Sequence, residues 1–153
     1  MNYRKATNDD INLLVEQRLK FIEIDKEDNR YETIKENCYL YFENALLNNK
    51  CDVILAEENT ICIGTGIVFY YESVPSAFNV TGKNAYITSM YVEPQYRRKG
   101  IATNILNRII EVAMEKEYRI IMLNASEMGR PIYKKMGFVD SNNGMILDKR
   151  DTV

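Results

Sequence analysis

The sequence predicts one mixed α/β domain, with strands and helices in the order β-α-α-β-β-β-α-β-α-β-β. Two observations carry this prediction. Apolar residues recur at helical spacing in some segments, and short runs rich in β-branched and aromatic residues separate those segments. The 153 residues also suit a single domain with a sizeable core, and no repeat or linker interrupts them. We therefore assign residues 1–153 to one domain.

The first half of the chain is predicted to contain one strand, two helices and a hairpin. "NYRKAT" is typical of a short opening strand, and the polar residues 8–10 can cap the helix that follows. A second helix is expected over about residues 31–47. "CDVILAEENTICIGTGIVFYY" predicts two strands joined by a polar turn at 57–60. Apolar residues at helical spacing mark the first helix: Ile11, Leu14, Val15, Leu19 and Ile22.

The next two elements are a strand and an amphipathic helix. "AYITSMYV", residues 85–92, is rich in strand formers, and Pro94 ends that strand. After Gly100 the apolar period changes to that of a helix, which we expect to end near Lys116. The apolar stripe of this helix consists of Ala102, Ile105, Leu106, Ile109 and Ala113.

The C-terminal part is predicted to add a strand, a short helix and a last strand pair. "RIIMLNA" has a continuous apolar run, which favours a strand buried on both faces. "EMGRPIYKKMGF" predicts a short helix that Gly137 closes. Phe138 is expected to begin the last strand pair, with its turn at 141–144.

The composition restricts the chemistry. The formal net charge of -2 gives no indication of a nucleic-acid or acidic-membrane partner. No apolar run is long enough to span a bilayer, and the N-terminus lacks the apolar part of a signal peptide, so we expect a cytoplasmic protein. The chain has no His, which removes Ser-His and Cys-His catalysis. Its three cysteines form no C-x-x-C pair, and we expect free thiols and no metal site.

The stretch "YRRKGIAT" places three cations directly before a helix. Arg97, Arg98 and Lys99 oppose the positive end of the helix dipole, and no Ser, Thr, Asp or Asn is present to cap the first turn. An anionic ligand would explain both features, because it would bind the free N–H groups and approach the backbone at Gly100. The alternative is a solvated basic turn whose N–H groups bind water.

Three segments resemble a known family. "RRKGIA" is similar to the Q/R-x-x-G-x-G/A pyrophosphate motif of the GNAT N-acetyltransferase superfamily, with Ala102 at the last small position. The strand "ITSMYVEP" and the helix in "ASEMGRPIYKKMGF" resemble the family's cofactor strand and its Y-x-x-x-G-F ending. The resemblance implies a central mixed, mostly antiparallel sheet of about six to seven strands, splayed at the cofactor site and flanked by about four helices.

The resemblance implies acetyl-CoA as the acyl donor, with no metal. Asn124, near the end of the next strand, matches a polar position near the cofactor's pantetheine arm, although a turn-forming Asn is the alternative. The remaining implied contacts belong to the strand end and the motif: Met90, Tyr91, Val92, Arg97, Arg98, Lys99, Gly100, Ile101, Ala102 and Thr103.

Acetyl transfer to an amine needs a proton donor for the leaving thiolate and a deprotonated amine. Tyr133 matches the family's tyrosine acid; the alternative is a core tyrosine packed beside Phe138. Without His the base is a carboxylate, a Tyr or water. Glu72, after the aromatic strand, is one base candidate, with a solvated carboxylate as its alternative. Tyr86 and Ser89 are further candidates.

These features predict an N-acetyltransferase that moves an acetyl group from acetyl-CoA to a small-molecule or peptide amine by direct attack. The alternative is a catalytically silent CoA-binding or partner-binding module of the same fold. Homodimers are common in the resembling family. A cationic acceptor is expected from carboxylates and aromatic residues near the predicted cleft: Glu23, Asp25, Glu27, Asp28, Phe69, Tyr70 and Tyr71.

Overall fold

A computed structural model of the chain describes residues 1–141 and 143–150. It contains one five-stranded sheet and four α-helices. The strands are β1 Asn2–Lys5, β2 Cys51–Glu58, β3 Ile61–Glu72, β4 Lys83–Val92 and β5 Ile120–Leu123. The helices are α1 Ile11–Phe21, α2 Tyr31–Leu47, α3 Ile101–Glu115 and α4 Arg130–Lys135, with short 3₁₀ turns at Asn8–Asp10 and Pro94–Tyr96.

The sheet has the strand order β1-β2-β3-β4-β5. The first three pairs are antiparallel, and β5 pairs with β4 in parallel. This confirms the mixed, mostly antiparallel sheet. The predicted hairpin is also present, and its turn is made by Asn59 and Thr60, both of which have positive φ angles.

The strand count is lower than predicted, because no described residue after Phe138 belongs to a strand. Asn142, in the predicted turn, lies outside the described residues. Asp140 binds Arg130 and Lys134 of α4, which holds the chain after Phe138 against that helix rather than along β5. The prediction that β5 is buried on both faces is therefore wrong: all four of its residues are only half-buried.

Two apolar clusters hold the sheet between layers of helices. One joins α3 to the sheet through Ile105, Leu106 and Ile109, and the side chains of α4 pack against it. The other joins α1 and α2 to the opposite face through Leu14 and Phe42. None of the described helices is long and apolar enough to cross a membrane.

A close approach between α3 and β3 depends on one glycine. A Cβ atom at Gly66 would lie only 2.6 Å from Ile105 and from the sulfur of Met90. Contacts under 3.0 Å are essentially unknown for real side chains, so a larger residue would push α3 off the sheet. The packing at Gly66 thus fixes where α3 lies relative to β4.

Candidate active site

β4 and β5, at one edge of the sheet, separate partway along β4. Their pairing runs from Asn84 opposite Ile120 to Ile87 opposite Leu123, and residues 88–92 of β4 continue beside β3 without β5. The register of β4 against β3 also shifts there, and Ser89 has a φ angle of +52°. An irregularity of this kind bends a strand and ends its pairing. The result is a length of β4 edge that β5 does not cover, as the splayed sheet predicts.

The separated end of β4 leads directly into an uncapped helix. Gly100 is the N-terminal cap of α3, and no side chain caps the first turn. The first bond in the helix runs from the N–H of Asn104 to the carbonyl of Gly100. The N–H groups of Ile101, Ala102 and Thr103 therefore have no acceptor within the helix. No acidic residue lies in this turn, so the helix dipole is uncompensated there.

The three cations before α3 have different surroundings. The Nε of Arg97 donates to the carbonyl of Val92 at 2.9 Å, which ties this turn to the end of β4. The amino group of Lys99 lies 5.2 Å from the centre of the Tyr96 ring. Arg98 is exposed and has a positive φ angle. The side chains of Arg98 and Lys99 thus lie at the surface beside the free N–H groups, whereas the side chain of Arg97 is bound to the backbone carbonyl of Val92.

Gly100 is required by its backbone rather than by crowding. Its φ angle is +77°, a region that L side chains rarely adopt. A Cβ atom there would have a single neighbour within 4 Å, the side-chain nitrogen of Asn104 at 3.9 Å. The space in front of Gly100 is open, so a ligand can reach the backbone of this turn.

Tyr133 lies on α4, on the same side of the sheet as α3. Burial raises the pKa of its phenol above the usual 10, so the group stays protonated at neutral pH. Its ring packs edge-on against Phe138, with ring centres 5.9 Å apart. Gly129 backs the ring, since a Cβ atom at that residue would lie 2.8 Å from it. These contacts are compatible with the acid role and with the core role described above.

Glu72 does not reach the point where the strands separate. It lies opposite Lys83 at the start of β4 and lines a hollow with Arg119. Thr88, the first residue of β4 beyond β5, is five residues farther on, or roughly 17 Å along the strand. The sequence did not show where β5 stops pairing, so it could not place Glu72 relative to that point.

Tyr86 and Ser89, the other base candidates, lie close to the separation. The phenol oxygen of Tyr86 accepts a hydrogen bond from the backbone N–H of Asn124, and burial raises its pKa. Its ring lies 5.2 Å from that of Phe69. The hydroxyl of Ser89 accepts a hydrogen bond of 2.7 Å from Arg18. Neither group has a partner that would make it a stronger base.

Two groups of sequence candidates lie outside the site. Tyr70 points to the α3 face, where it donates to Asp52, so it cannot belong to an aromatic wall with Phe69. The three cysteines are free, and burial raises the pKa of each, that of Cys51 to about 11. Thiolates, the reactive form, are therefore scarce at neutral pH.

Arg18 was missed by the analysis of the sequence. It follows Leu14 by four residues and precedes Ile22 by four, so it lies on the apolar stripe of α1. A cation in that position is the signal that could have identified it. Glu93, four residues after Ser89, does not pair with Arg18. Its carboxylate binds Lys20 at 2.9 Å and accepts a hydrogen bond from Tyr91.

The family is shown by comparison with known proteins. The profile of the Acetyltransferase (GNAT) family matches residues 18–138, most of the chain, and the chain belongs to this family. Thialysine N-epsilon-acetyltransferase of Mus musculus is 31% identical over 86 residues, which cover 54% of this chain and 48% of that protein. The same enzyme of Sus scrofa is 29% identical over 86 residues, with the same coverage. The chain thus spans about half the length of the curated relatives it matches.

Solved structures agree with this assignment over the whole fold. A Clostridium acetobutylicum protein, described as a predicted acetyltransferase with acetyl-CoA, superposes with a TM-score of 0.85 at 38% identity, covering 98% of this chain and 97% of that one. A GCN5-related N-acetyltransferase from Ralstonia eutropha superposes with a TM-score of 0.84 at 23% identity, covering 96% and 97%. The second likeness shows the fold alone.

Proposed function

We propose that this chain is an N-acetyltransferase that moves an acetyl group from acetyl-CoA to the primary amine of a small molecule or peptide. The observation that carries the proposal is the uncapped N-terminus of α3 directly beyond the uncovered end of β4. One feature can bind a pyrophosphate and the other can pair with an extended amide chain. Acetyl-CoA contains both groups, and the Clostridium acetobutylicum relative was crystallised with it.

The donor site follows from these two features. The N–H groups of the first turn of α3 would bind the pyrophosphate, with Arg98 and Lys99 adding charge from the surface. Arg97 would act indirectly, since its bond to Val92 holds the turn beside the strand. The backbone of residues 90–92 would pair with the pantetheine arm, and Asn124 lies across the gap at the end of β5. This assigns a role to each predicted donor contact.

The reaction we propose is direct attack within a complex of enzyme, donor and acceptor. The amine nitrogen forms a bond to the thioester carbonyl carbon, and the C–S bond then breaks. Backbone N–H groups at the end of β4 would stabilise the negative charge on the carbonyl oxygen. Tyr133 would give its proton to the leaving sulfur and recover one from the protonated amide nitrogen through solvent. A covalent acetyl-cysteine is not required.

We propose that water, rather than a carboxylate, removes the proton from the amine. Glu72 lies too far along β4, and burial keeps the phenol of Tyr86 protonated at neutral pH. An alkyl ammonium has a pKa near 10.4, so the reactive neutral amine increases about tenfold per pH unit below that value. kcat/KM should therefore rise with pH. No falling limb from Tyr133 is expected below about pH 10, because its raised pKa keeps it protonated.

The acceptor class is supported by the curated relatives. Their name describes acetylation at an ε-nitrogen, which is a primary amine at the end of an alkyl chain. Because the chain spans about half of their length, only the class of acceptor, a primary amine, is proposed from them. The silent-module alternative is disfavoured by Tyr133, which is present where the family's proton donor lies.

The proposal is tested by incubating the purified chain with acetyl-CoA and a panel of primary amines at several pH values. Thiol release and the mass of the acetylated amine are measured together. We expect stoichiometric release and acetylation that both increase with pH. Calorimetric titration with acetyl-CoA separates the alternatives: tight binding without turnover on any amine would indicate the silent module. Absence of binding would overturn the donor site.

A further inference from the structure

Arg18 is a charged residue held against the sheet without a charged partner. One of its terminal nitrogens donates to the hydroxyl of Ser89 at 2.7 Å, and its guanidinium lies 5.3 Å from the centre of the Phe21 ring. Within residues 1–141 and 143–150 it forms no ion pair with a carboxylate. A guanidinium has five N–H donors, so most of its hydrogen-bonding capacity remains for an anion or water.

The groups around Arg18 do not compensate its charge. Burial raises the pKa of Cys38 and Tyr41 of α2, and the positive charge of Arg18 lowers each pKa by a smaller amount. Both groups are therefore neutral at pH 7. Glu93 is already bound to Lys20. A charge that is partly withdrawn from water is favourable when an anion pairs with it. Arg18 therefore offers a place at which an anion could pair with its charge.

That place lies where an acceptor would enter. Ser89 directly follows Thr88, the first residue of β4 beyond β5. Thr88 pairs with Ile67, which belongs to the cluster on the α1 and α2 face. Tyr133 packs against the opposite cluster, together with α3. An acceptor would therefore approach from the α1 and α2 face, which carries Arg18.

Aromatic side chains of β3 and β4 lie on the same face of the sheet as α1. Phe69 packs against the cluster of α1 and α2, and its ring centre lies 5.2 Å from Tyr86 and 6.2 Å from Tyr71. Such rings suit an alkyl chain. An acceptor that carried positive charge alone would be repelled by Arg18, whereas a zwitterion could bind it through a carboxylate.

We propose that Arg18 binds the carboxylate of the acceptor, and that the acceptor is an amino acid whose side-chain amine is acetylated. Its alkyl chain would lie along Phe69 and Tyr86, and its terminal amine would reach the end of β4. Arg18 takes no part in bond making. This inference rests on the proposed acetyltransferase activity and narrows the expected cationic acceptor to an amino acid.

The experiment compares matched pairs of acceptors that differ in one carboxylate. The amino acids are lysine, ornithine and 2,4-diaminobutyrate; their partners are cadaverine, putrescine and 1,3-diaminopropane. The three lengths cover different distances between Arg18 and the acetyl group. We expect kcat/KM for at least one amino acid to exceed that of its diamine by about 10–100-fold, the usual range for hydrogen bonds to a charged group.

Variants then separate recognition from structural support. Arg18→Gln should reduce that preference to within about threefold, mainly through KM, and Arg18→Lys should restore part of it. Lys35→Gln removes a positive charge from an exposed position on α2 and should leave the preference unchanged. A uniform fall of kcat for both members of every pair would show that Arg18 only supports the strand at Ser89, and would overturn the inference.

Failure of this inference is distinguishable from failure of the proposed function. Acetylation of diamines at the same rate as amino acids would refute carboxylate recognition and leave the acetyltransferase proposal intact. Absence of acetylation with every amine, despite acetyl-CoA binding, would refute both.

Discussion

The two ends of α3 are built in opposite ways. At the C-terminal end, Lys116 caps the helix and binds the carboxylate of Asp52, which also accepts a hydrogen bond of 2.7 Å from Tyr70 and pairs with Lys5 at 2.9 Å. The Tyr70 ring stacks on Tyr118 with centres 4.4 Å apart. Asp52 thus joins Lys116, Lys5 and Tyr70, and the cation Lys116 lies at the end that the helix dipole favours.

At the N-terminal end the same preferences are broken. Arg98 and Lys99 lie where the dipole disfavours them, and the first turn has no cap. A turn with these residues costs stability unless a ligand binds it. The difference teaches that the structural end of this helix obeys the local rules, whereas the end that we propose to be functional departs from them. Each prediction below tests one side of that difference.

The largest effect is expected at Tyr133, on the functional side. Tyr133→Phe removes the phenol and keeps the ring that packs on Phe138. General acid catalysis contributes about 10²–10⁴-fold, so kcat should fall on that scale while the affinity for acetyl-CoA changes little. Steady-state kinetics and calorimetric titration measure the two quantities separately.

Tyr118→Phe is the matched control, because Tyr118 stacks at the other end of α3 and loses only a hydroxyl. It should leave kcat unchanged. If Tyr133→Phe stays within about twofold of the wild type when chemistry limits the rate, Tyr133 is a packing residue.

A smaller effect is expected at Gly100. Gly100→Glu places a carboxylate at the proposed pyrophosphate site and forces a strained φ angle, at a combined cost of about 2–3 kcal/mol. We expect affinity for acetyl-CoA to fall by about 30–150-fold. Gly100→Ala is the control, since it introduces the strain without the charge and has room for its Cβ atom. Equal losses in the two variants, measured by titration of folded protein, would contradict an anion site.

The sequence predicted local elements well and pairing less well. α2 begins and ends where expected, and α3 ends one residue before Lys116, because apolar spacing depends on nearby residues alone. The strand pair after Phe138 was wrong, since strand pairing also depends on distant neighbours and on the ion pairs of Asp140. The motif around Gly100 was visible because a tight turn confines the proposed anion site to adjacent residues.

Contacts between distant residues were the part that sequence could not show. Arg18 and Ser89 are 71 residues apart, and their hydrogen bond depends on the packing of α1 against β4. The distance of Glu72 from the site depends on the register between β3 and β4 and on where β5 stops. Neither quantity is encoded in a short segment, so both needed the folded chain.

The last prediction concerns the structural end of α3. Asp52→Asn removes a buried carboxylate that binds Lys116, Lys5 and Tyr70. Leaving such partners unmatched typically costs about 1–3 kcal/mol, so the free energy of unfolding at pH 7 should fall by that amount. kcat should not change, because this network lies at the far end of α3 from the proposed donor site. Urea unfolding and steady-state kinetics measure the two effects.

The same variant should also alter the dependence of stability on acid. Burial alone would raise the pKa of Asp52, but hydrogen bonds from Lys116, Lys5 and Tyr70 hold it below the usual value of 3.8. A depressed pKa gives stability that is present above about pH 4 and is lost as pH falls through the folded-state value. The difference in unfolding free energy between wild type and Asp52→Asn should therefore shrink below pH 4.

Asp28→Asn is the control, because Asp28 forms an exposed pair with Arg30, and it should have a smaller effect on stability. A difference between wild type and Asp52→Asn that stays constant with pH would contradict the depressed pKa of Asp52. A lower kcat of folded Asp52→Asn would show that the two ends of α3 are not separate in function.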